Sequence, residues 1–211
     1  KEKPSKGFYV FQADMLTSEY EILKDTRGGF WVSFVVRLHN GRPLAFYMQA
    51  AALAIQEVLG QCIDSNNVMI GWPNELWCNN KIVGFIRGEP FPDENDVAII
   101  GFELLINVFP DQIKSGLEEQ YTTMLAETGS CQTIGTTLRN VVEEFDKNIQ
   151  MTGKHLNHDY NEYLYGRGQN VTIDGKCGTL DHVDENGIAW LNIDGKCIEV
   201  ASGTCTFNNR I

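Results

Sequence analysis

Apolar residues follow two different periods along the first two thirds of the chain. Continuous runs rich in β-branched and aromatic residues predict strands at 7–12, 30–38, 68–70 and 97–109. The run at 30–38 is apolar enough to be a central strand buried on both faces. Apolar residues that recur every three or four positions predict helices at 14–24, 44–60, 115–128 and 133–150. The first two thirds of the chain are therefore expected to combine a sheet with flanking helices.

A tight hairpin is predicted within Trp72–Phe85. Two apolar runs, ELWC and KIVGFI, flank an Asn-Asn pair, and asparagine tolerates the positive φ that a two-residue turn requires. The turn places Lys81 at the start of the return strand. Pro73 cannot donate to a sheet, so Asn74 is presented at a strand edge or turn. Spacing alone is more typical of an ordinary hairpin that carries a solvated lysine.

The chain changes character after the turn-rich segment Tyr165–Gly168. Short alternating runs separated by Asp-Gly and Asn-Gly turns indicate about five strands in roughly forty residues. The pentapeptide IDGKC occurs at 173–177 and at 193–197, which reflects recurring hairpin chemistry rather than a solenoid. We therefore predict two units, residues 1–164 and residues 168–211, of which the second is a small SH3-like β-barrel.

Charge and length exclude several classes of protein. The 28 acidic residues outnumber the 17 basic ones, giving a net charge of −11, whereas nucleic-acid binding requires clustered cations. No apolar run reaches the roughly 18 residues of a membrane span, and no apolar segment typical of a signal peptide follows the N-terminal residues. We expect neither nucleic acid nor membrane as a partner.

Cysteine and histidine spacing argues against a disulfide scaffold and against a metal centre. The six cysteines form no CxxC pair, which favours a reduced, cytoplasmic protein. His155 and His158 are three residues apart without a third ligand, so no metal site made of protein ligands alone is expected.

The segment WPNELWCNNKIVGF resembles the WPND…KxxG signature of the biotin–protein ligases, which are related to the lipoate–protein ligases. Residue types, order and spacing agree, and Glu75 in place of aspartate is the one change. In that family the lysine contacts the biotin carboxylate and the α-phosphate of ATP, while the Asn-Asp pair serves the nucleotide and its magnesium. The resemblance assigns these roles to Lys81, Asn74 and Glu75.

The resemblance extends over about residues 7 to 207 and implies further site residues. Thr17 and Ser18 match a helix start whose hydroxyls face biotin in the family, although ordinary helix capping explains them equally well. The expected biotin contacts are Gln12, Thr17, Ser18, Arg27, Gly28, Trp31, Trp72, Lys81 and Gly84. Asn107 joins Asn74 and Glu75 as an expected contact of ATP and Mg²⁺.

The family has a strand and a Gly/Arg-rich loop that closes over the adenylate where this chain passes from Thr26 directly to Arg27. Three explanations are open. A segment is absent from the printed sequence, or the loop has been lost together with adenylation, or Gln12 is the glutamine before the loop and residues 13–26 are a substituted lid. The first is preferred, because losing a core strand while keeping its neighbours would damage the sheet.

At two further places this chain differs from the family pattern, once in charge and once in the space left for a ligand. Gly71 stands where the family usually has a lysine, so one cationic phosphate contact is missing. Glu103 and Leu105 stand where glycines let biotin lie against the backbone, and a side chain there would intrude. Gly101 takes over that role if an insertion shifts the register.

The resemblance implies an ATP-dependent biotin–protein ligase that adenylates biotin and transfers it to a lysine of a biotin carboxyl carrier domain, with Lys81 as the catalytic residue. The expected fold is α/β (α+β), a mixed sheet flanked by helices like the class II synthetase-like catalytic domain, followed by the small barrel. The alternatives are a lipoate or octanoate ligase or transferase, and a catalytically impaired or non-catalytic binding protein. A homodimer is left open.

Overall fold

Two β-sheets and four α-helices make up the part of the chain that the computed structural model describes, residues 7–15, 21–39, 41–63 and 67–207. The strands of the first sheet are β1 (Phe8–Ala13), β2 (Phe30–Arg37), β3 (Val68–Gly71), β4 (Glu75–Cys78), β5 (Lys81–Pro90) and β6 (Val97–Leu104). The helices are α1 (Leu44–Gly60), α2 (Met124–Thr128), α3 (Ile134–Asn148) and α4 (Gly153–Glu162). The strands of the second sheet are β7 (Asn170–Ile173), β8 (Lys176–Val183), β9 (Ala189–Ile193), β10 (Lys196–Val200) and β11 (Cys205–Phe207).

The first sheet has the strand order β1-β2-β6-β5-β4-β3. All of its ladders are antiparallel. Parallel pairing in the described residues is confined to the isolated bridges Ile70–Leu164 and Ile82–Tyr121. The combination of sheet and helices is thus as predicted, but the sheet is antiparallel rather than mixed, because consecutive strands are joined by turns and one helix instead of parallel crossovers.

One face of the first sheet packs against α1, α3 and α4 and is called the helix face; the opposite face is called the second face. Strand β2 shows the difference. Phe30 and Phe34 are fully buried on the helix face, whereas Ser33 and Val35 on the second face are only half-buried. Burial on both faces, expected for 30–38, therefore holds only near Trp31, because the helices cover one side of an antiparallel sheet.

Helices α1 and α3 confirm the predictions at 44–60 and 133–150. Only Met124–Thr128 is helical within the predicted 115–128, where the Thr123 side chain accepts a hydrogen bond from the Ala126 amide at 3.0 Å. Residues 21–24 are not helical, and the remainder of the predicted helix 14–24 lies largely outside the described residues. None of the described helices is long and apolar enough to span a bilayer.

The predicted hairpin is confirmed. Asn79 and Asn80 both adopt positive φ, 48° and 65°, as a type I′ turn requires. Cys78 and Lys81 are the first pair of the β4–β5 ladder, and a bulge shifts the register between Leu76 and Trp77. Lys81 therefore stands at the very start of the return strand, as expected.

The second sheet has the order β10-β9-β8-β7-β11, so the prediction of about five strands after residue 168 is confirmed. Asp174-Gly175 and Asp194-Gly195 form its hairpin turns with positive φ. Among the described residues no ladder joins β10 to β11, so closure into a barrel stays a prediction. Buried residues of this sheet, Val171 and Leu180 among them, belong to the same apolar core as the helix face.

The six cysteines are expected to divide into two classes in a labelling experiment. Cys78 and Cys205 are buried, and burial raises the pKa of each thiol to about 12. A thiol attacks as its thiolate, so both are expected to resist a disulfide-exchange reagent at pH 8. The exposed thiols, on Cys62, Cys131, Cys177 and Cys197, are expected to react within minutes. Release of more than four equivalents of chromophore before denaturation would contradict this assignment.

Candidate functional site

Lys81 is held by a loop that follows β6. Its amine donates a hydrogen bond to the Glu118 backbone carbonyl at 2.8 Å, and the side chain is half-buried. The loop runs beside the start of β5, where the Ile82 amide donates to the Gln120 carbonyl at 2.9 Å and the Thr122 amide to the Ile82 carbonyl at 2.9 Å. Among the described residues, no carboxylate lies within ion-pair distance of Lys81. Within the described part of the chain its positive charge is therefore not neutralised by a carboxylate.

The second face near Lys81 carries a small core of its own. Its buried members are Ile22, Leu23, Trp31, Leu105, Val108 and Ile113, and Phe85, Leu117 and Tyr121 pack at its edge. Two segments close over it as a clasp, defined here as residues 22–24 and 112–114. The Lys24 amide donates to the Gln112 carbonyl at 2.8 Å, and the Lys114 amide to the Ile22 carbonyl at 2.9 Å. The chain therefore fills with its own side chains the region where the resemblance implies a ligand.

Trp31 and Trp72 lie in different apolar clusters. Trp31 belongs to the small core and donates its indole N–H to the Thr26 carbonyl at 2.7 Å. Trp72 belongs to the main core on the helix face and donates to the Gly187 carbonyl at 2.9 Å. The two indoles, both expected to contact biotin, therefore pack in separate apolar clusters.

The two glycines of the predicted site, Gly28 and Gly84, lie against protein backbone. A Cβ at Gly28, whose φ is +86°, would overlap the Asn107 carbonyl, and a Cβ at Gly84 would overlap the Glu103 carbonyl. The Asn107 side chain is also engaged, since it bonds the Gln132 backbone through both its oxygen and its nitrogen at 2.7 Å. Packing within the fold therefore accounts for all three residues.

Charged groups occupy the second face beyond the small core. Arg87 on β5 donates to the Glu103 carboxylate on β6 at 2.8 Å. Glu103 is one of the positions where the resemblance implies a glycine, so an ion pair now lies there. Beside it, a Cβ at Gly101 would meet nothing within 4 Å, which leaves open space on this face of β6.

Tyr121 lies where the small core meets acidic groups. Its ring packs on Phe85 with centroids 6.3 Å apart. Burial raises the pKa of its phenol, and the nearby carboxylates of Glu75 and Glu21 raise it further. Glu75 also accepts a hydrogen bond from the Trp77 indole at 2.9 Å. The predicted nucleotide side of the site is thus rich in negative charge, and an anionic ligand there needs a cation as well as Lys81.

The connection between β1 and β2 bears on the missing loop. The two strands are hydrogen-bonded neighbours, with Gln12 opposite Val32, so residues 14–29 form the link between them. In the described residues β1 and β2 pair directly, with no strand between them. All three explanations of the missing loop stay predictions.

The remaining predicted contacts are placed as follows. Gln12 is exposed on the edge strand β1. Arg27 is exposed and forms an ion pair with Asp25, whose pKa is lowered by the hydrogen bonds from Arg27. Thr17 and Ser18 lie outside the described residues. Of the predicted set, Lys81 and Trp31 border the small core directly, while Asn74 lies near Glu75 at the turn before β4.

Sequence reasoning missed Tyr121, Arg87 and the carbonyl of Glu118. Residues 115–121 were expected to be helical, which hid Tyr121 and the carbonyl that binds Lys81. Arg87 sits in a strand without any motif around it. The alternation of β5, which puts Phe85 and Arg87 on one face, is the signal that could have linked Arg87 to the site.

No protein-family model and no curated protein matches this chain. Solved structures do match it. The biotin protein ligase of Aquifex aeolicus has a TM-score of 0.79 and 20% identity, over 94% of this chain and 88% of that chain. The same enzyme in complex with biotin and ATP has a TM-score of 0.78 and 20% identity, over 93% and 87%.

Two other structures extend the comparison. A biotin protein ligase-like protein of unknown function from Silicibacter sp. has a TM-score of 0.67 and 19% identity, over 82% of this chain and 78% of that chain. The biotin protein ligase of Leishmania major in complex with biotinyl-5-AMP has a TM-score of 0.59 and 14% identity, over 92% and 89%. The resemblance predicted from WPNELWCNNKIVGF is confirmed at the level of the fold: this chain has the fold of the biotin protein ligases.

Proposed function

We propose that this chain is a biotin–protein ligase, which activates biotin with ATP and transfers it to a lysine of a biotin carboxyl carrier domain. The observation that carries the proposal is Lys81. Its amine is fixed at the start of β5 by one backbone carbonyl, and it has no carboxylate partner among the described residues. Solved structures of this fold contain biotin and ATP, which supports the same ligands here.

The proposed first step joins two anionic groups. An oxygen of the biotin carboxylate attacks the α-phosphorus of ATP, and pyrophosphate leaves as the acyl-adenylate forms. In the second step the carrier lysine attacks the adenylate carbonyl, and AMP leaves. The positive charge of Lys81 offsets repulsion between carboxylate and phosphate and stabilises the charge that develops in the transition state.

Magnesium fits the groups available at the turn before β4. Mg²⁺ is commonly held by one or two protein carboxylates together with the phosphates of a nucleotide. Glu75 supplies a carboxylate of which one oxygen accepts the Trp77 indole N–H, and Asn74 supplies an amide beside it. The ion would supply the second cation that this acidic region requires.

The proposal requires the clasp to open. Leu105 and Trp31 are almost completely buried in the small core, at 1% and 4% exposure, so a ligand can enter the region between Lys81 and these residues only after 22–24 and 112–114 separate. The clasp is joined by two backbone hydrogen bonds and a few apolar contacts. Loops that open and close over a substrate are a common feature of enzymes.

A second candidate function is ligand binding without adenylation. Three observations favour it: the Arg87–Glu103 ion pair at an expected glycine, the burial of Leu105 at another, and Gly71 in place of a lysine. All three reduce either the space or the positive charge available to a triphosphate. A lipoate or octanoate ligase remains the third reading of the same site.

Calorimetry with biotin, with and without Mg²⁺-ATP, is expected to separate these functions. A ligase is expected to bind biotin at least about tenfold more tightly when the nucleotide is present, which is a coupling of roughly 1.4 kcal/mol. Mass spectrometry of the same mixture is expected to show biotinyl-adenylate. Uncoupled biotin binding without adenylate would establish the second candidate, and stronger binding of lipoate would establish the third. Absence of binding by either acid would reject all three.

Organisation and location belong to the same proposal. We propose residues 1–164 as the catalytic unit and residues 168–211 as the second unit, a small SH3-like barrel. The proposed carrier is an acyl-carrying domain that docks by strand pairing, and the proposed location is the cytoplasm.

A further inference from the structure

A cavity of about 460 Å³ lies on the helix face of the first sheet, away from Lys81. Its walls come from α1, the end of β3 with the segment Trp72–Glu75, the second half of β5, Tyr160 of α4 and the β8–β9 hairpin. Leu44, Met48 and Ala52 of α1 face Ile86 of β5, and Val183 of the second sheet closes the far side. A volume of several hundred Å³ with mostly apolar walls is typical of small-molecule sites.

One polar group that lines this cavity has no hydrogen-bond partner among the described residues. Tyr160 of α4 lines the cavity and is only 4% exposed. Its hydroxyl takes part in none of the hydrogen bonds formed by the described residues. No fully enclosed side-chain oxygen or nitrogen in the described residues lacks a partner, so the hydroxyl is not fully enclosed, and Tyr160 is one of the residues that line the cavity. A buried hydroxyl normally finds a hydrogen-bond partner, and a ligand in the cavity would supply one.

Burial also fixes the protonation state of this group. Loss of solvent raises the pKa of Tyr160 well above its ordinary value, so the phenol remains a hydrogen-bond donor throughout the physiological range. A ligand atom that meets it is therefore expected to be an acceptor, such as an alcohol or carbonyl oxygen.

The cavity offers an anion no unpaired cation among its described lining residues. Arg87 is among them, but its side chain is bound to the Glu103 carboxylate, and Glu75 and Glu89 are acidic. The cavity holds no lysine, and an unpaired carboxylate buried beside Tyr160 would lose its hydration without gaining a cation. Neither biotin nor ATP is suited to this cavity, since both are anions.

We infer that the cavity is a second ligand site, which takes a small, neutral, amphipathic molecule. Its apolar body lies against Leu44, Met48 and Ile86, and a hydroxyl or carbonyl oxygen at its inner end accepts a hydrogen bond from Tyr160. The site goes beyond the proposed ligase activity and does not depend on Lys81, because Lys81 and the small core contribute nothing to its walls. It adjoins the proposed magnesium site, since Asn74 and Glu75 are among its lining residues.

Two probes of equal size test the inference: 3-phenylpropan-1-ol and 3-phenylpropanoate, titrated against the full chain by ligand-observed NMR. The alcohol is expected to bind with a Kd of about 1 mM or tighter, a value in keeping with a fragment of this size. The carboxylate is expected to bind at least about tenfold more weakly, because its charge loses hydration in the cavity without gaining an unpaired cation. Equal or stronger binding of the carboxylate would overturn the inference.

Three variants locate the binding. Tyr160→Phe removes a hydroxyl that bonds none of the described residues, so the fold is expected to keep its stability while the alcohol binds at least about fivefold more weakly. Ala52→Phe fills the cavity and is expected to abolish binding. Tyr163→Phe, in the turn after α4, and Lys81→Ala are controls expected to leave the Kd unchanged.

These outcomes separate the inference from the ligase proposal. Loss of probe binding in Lys81→Ala would place the probe at the ligase site and overturn the inference. Failure of the alcohol to bind, or an unchanged Kd in Tyr160→Phe, would also overturn it. A chain that binds the alcohol at Tyr160 but makes no adenylate would leave the second site intact while the ligase proposal fails.

Discussion

Lys81→Ala is expected to lower the rate of biotinyl-adenylate formation at least about 100-fold, the scale of losing one charged group aimed at a developing negative charge. The amine is the only side-chain cation that the hairpin places at the start of β5, and no carboxylate among the described residues competes for it. The fold should be unaffected, because the lysine makes one hydrogen bond at a half-buried position. The measurement is mass-spectrometric yield of adenylate after mixing with biotin, ATP and Mg²⁺.

Lys176→Ala is the matched control. Lys176 also follows a two-residue hairpin turn, begins strand β8 and donates its amine to a backbone carbonyl, that of Glu199 at 3.3 Å. Lys176, in the second sheet, therefore has the same local setting as Lys81 in the first. Its replacement should leave the yield of biotinyl-adenylate unchanged. An equal yield from Lys81→Ala and the wild type would remove Lys81 from the proposed mechanism.

Trp77→Ala is expected to lower the free energy of unfolding by about 3–5 kcal/mol. The indole is 2% exposed and joins the two sheets. It stacks on Tyr165 with centroids 4.2 Å apart and an angle of 11°, and it meets Phe207 edge-on at 5.7 Å. Its removal leaves a large cavity and deprives the half-buried Glu75 of a hydrogen bond. Urea unfolding followed by far-ultraviolet circular dichroism measures the loss.

Trp190→Ala provides the comparison for this variant. Trp190 is half-buried, lies flat against His182 at 5.9 Å and reaches Asp184 through a long hydrogen bond of 3.4 Å. Its loss is expected to cost roughly 1 kcal/mol, because solvent replaces much of what is removed. If both variants lose the same stability, Trp77 does not have the central packing role assigned to it.

Elements governed by local signals could be predicted from the sequence. The recurrence of apolar residues in 44–60 specifies α1. The Asn-Asn turn at Asn79-Asn80 and the Asp-Gly turns of the second sheet specify the hairpins, because these residues tolerate positive φ. The clasp could not be predicted in this way. Residues 22–24 and 112–114 pair across almost ninety positions of sequence, and neither segment has a period of its own.

The candidate site shows the same division. The position of Lys81 follows from the turn, and the structure confirms it. The surroundings of Gly28 and Gly84 do not follow, because a glycine shows that something approaches the backbone without showing what, and here it is the chain itself. Trp31 and Trp72 are separated because their side chains lie on different faces of the sheet. The hydrophobic pattern near Pro73 does not determine on which face the Trp72 side chain lies.

The acidic surroundings of Lys81 have a kinetic consequence. A biotin or nucleotide anion must approach past Glu75, Glu103 and Glu118 on a chain whose net charge is −11. Dissolved salt screens such repulsion, with a Debye length of about 8 Å at physiological ionic strength. The association rate constant of an anionic ligand should therefore rise as sodium chloride is added. Where enzyme and substrate carry opposite charges, added salt lowers that rate constant instead.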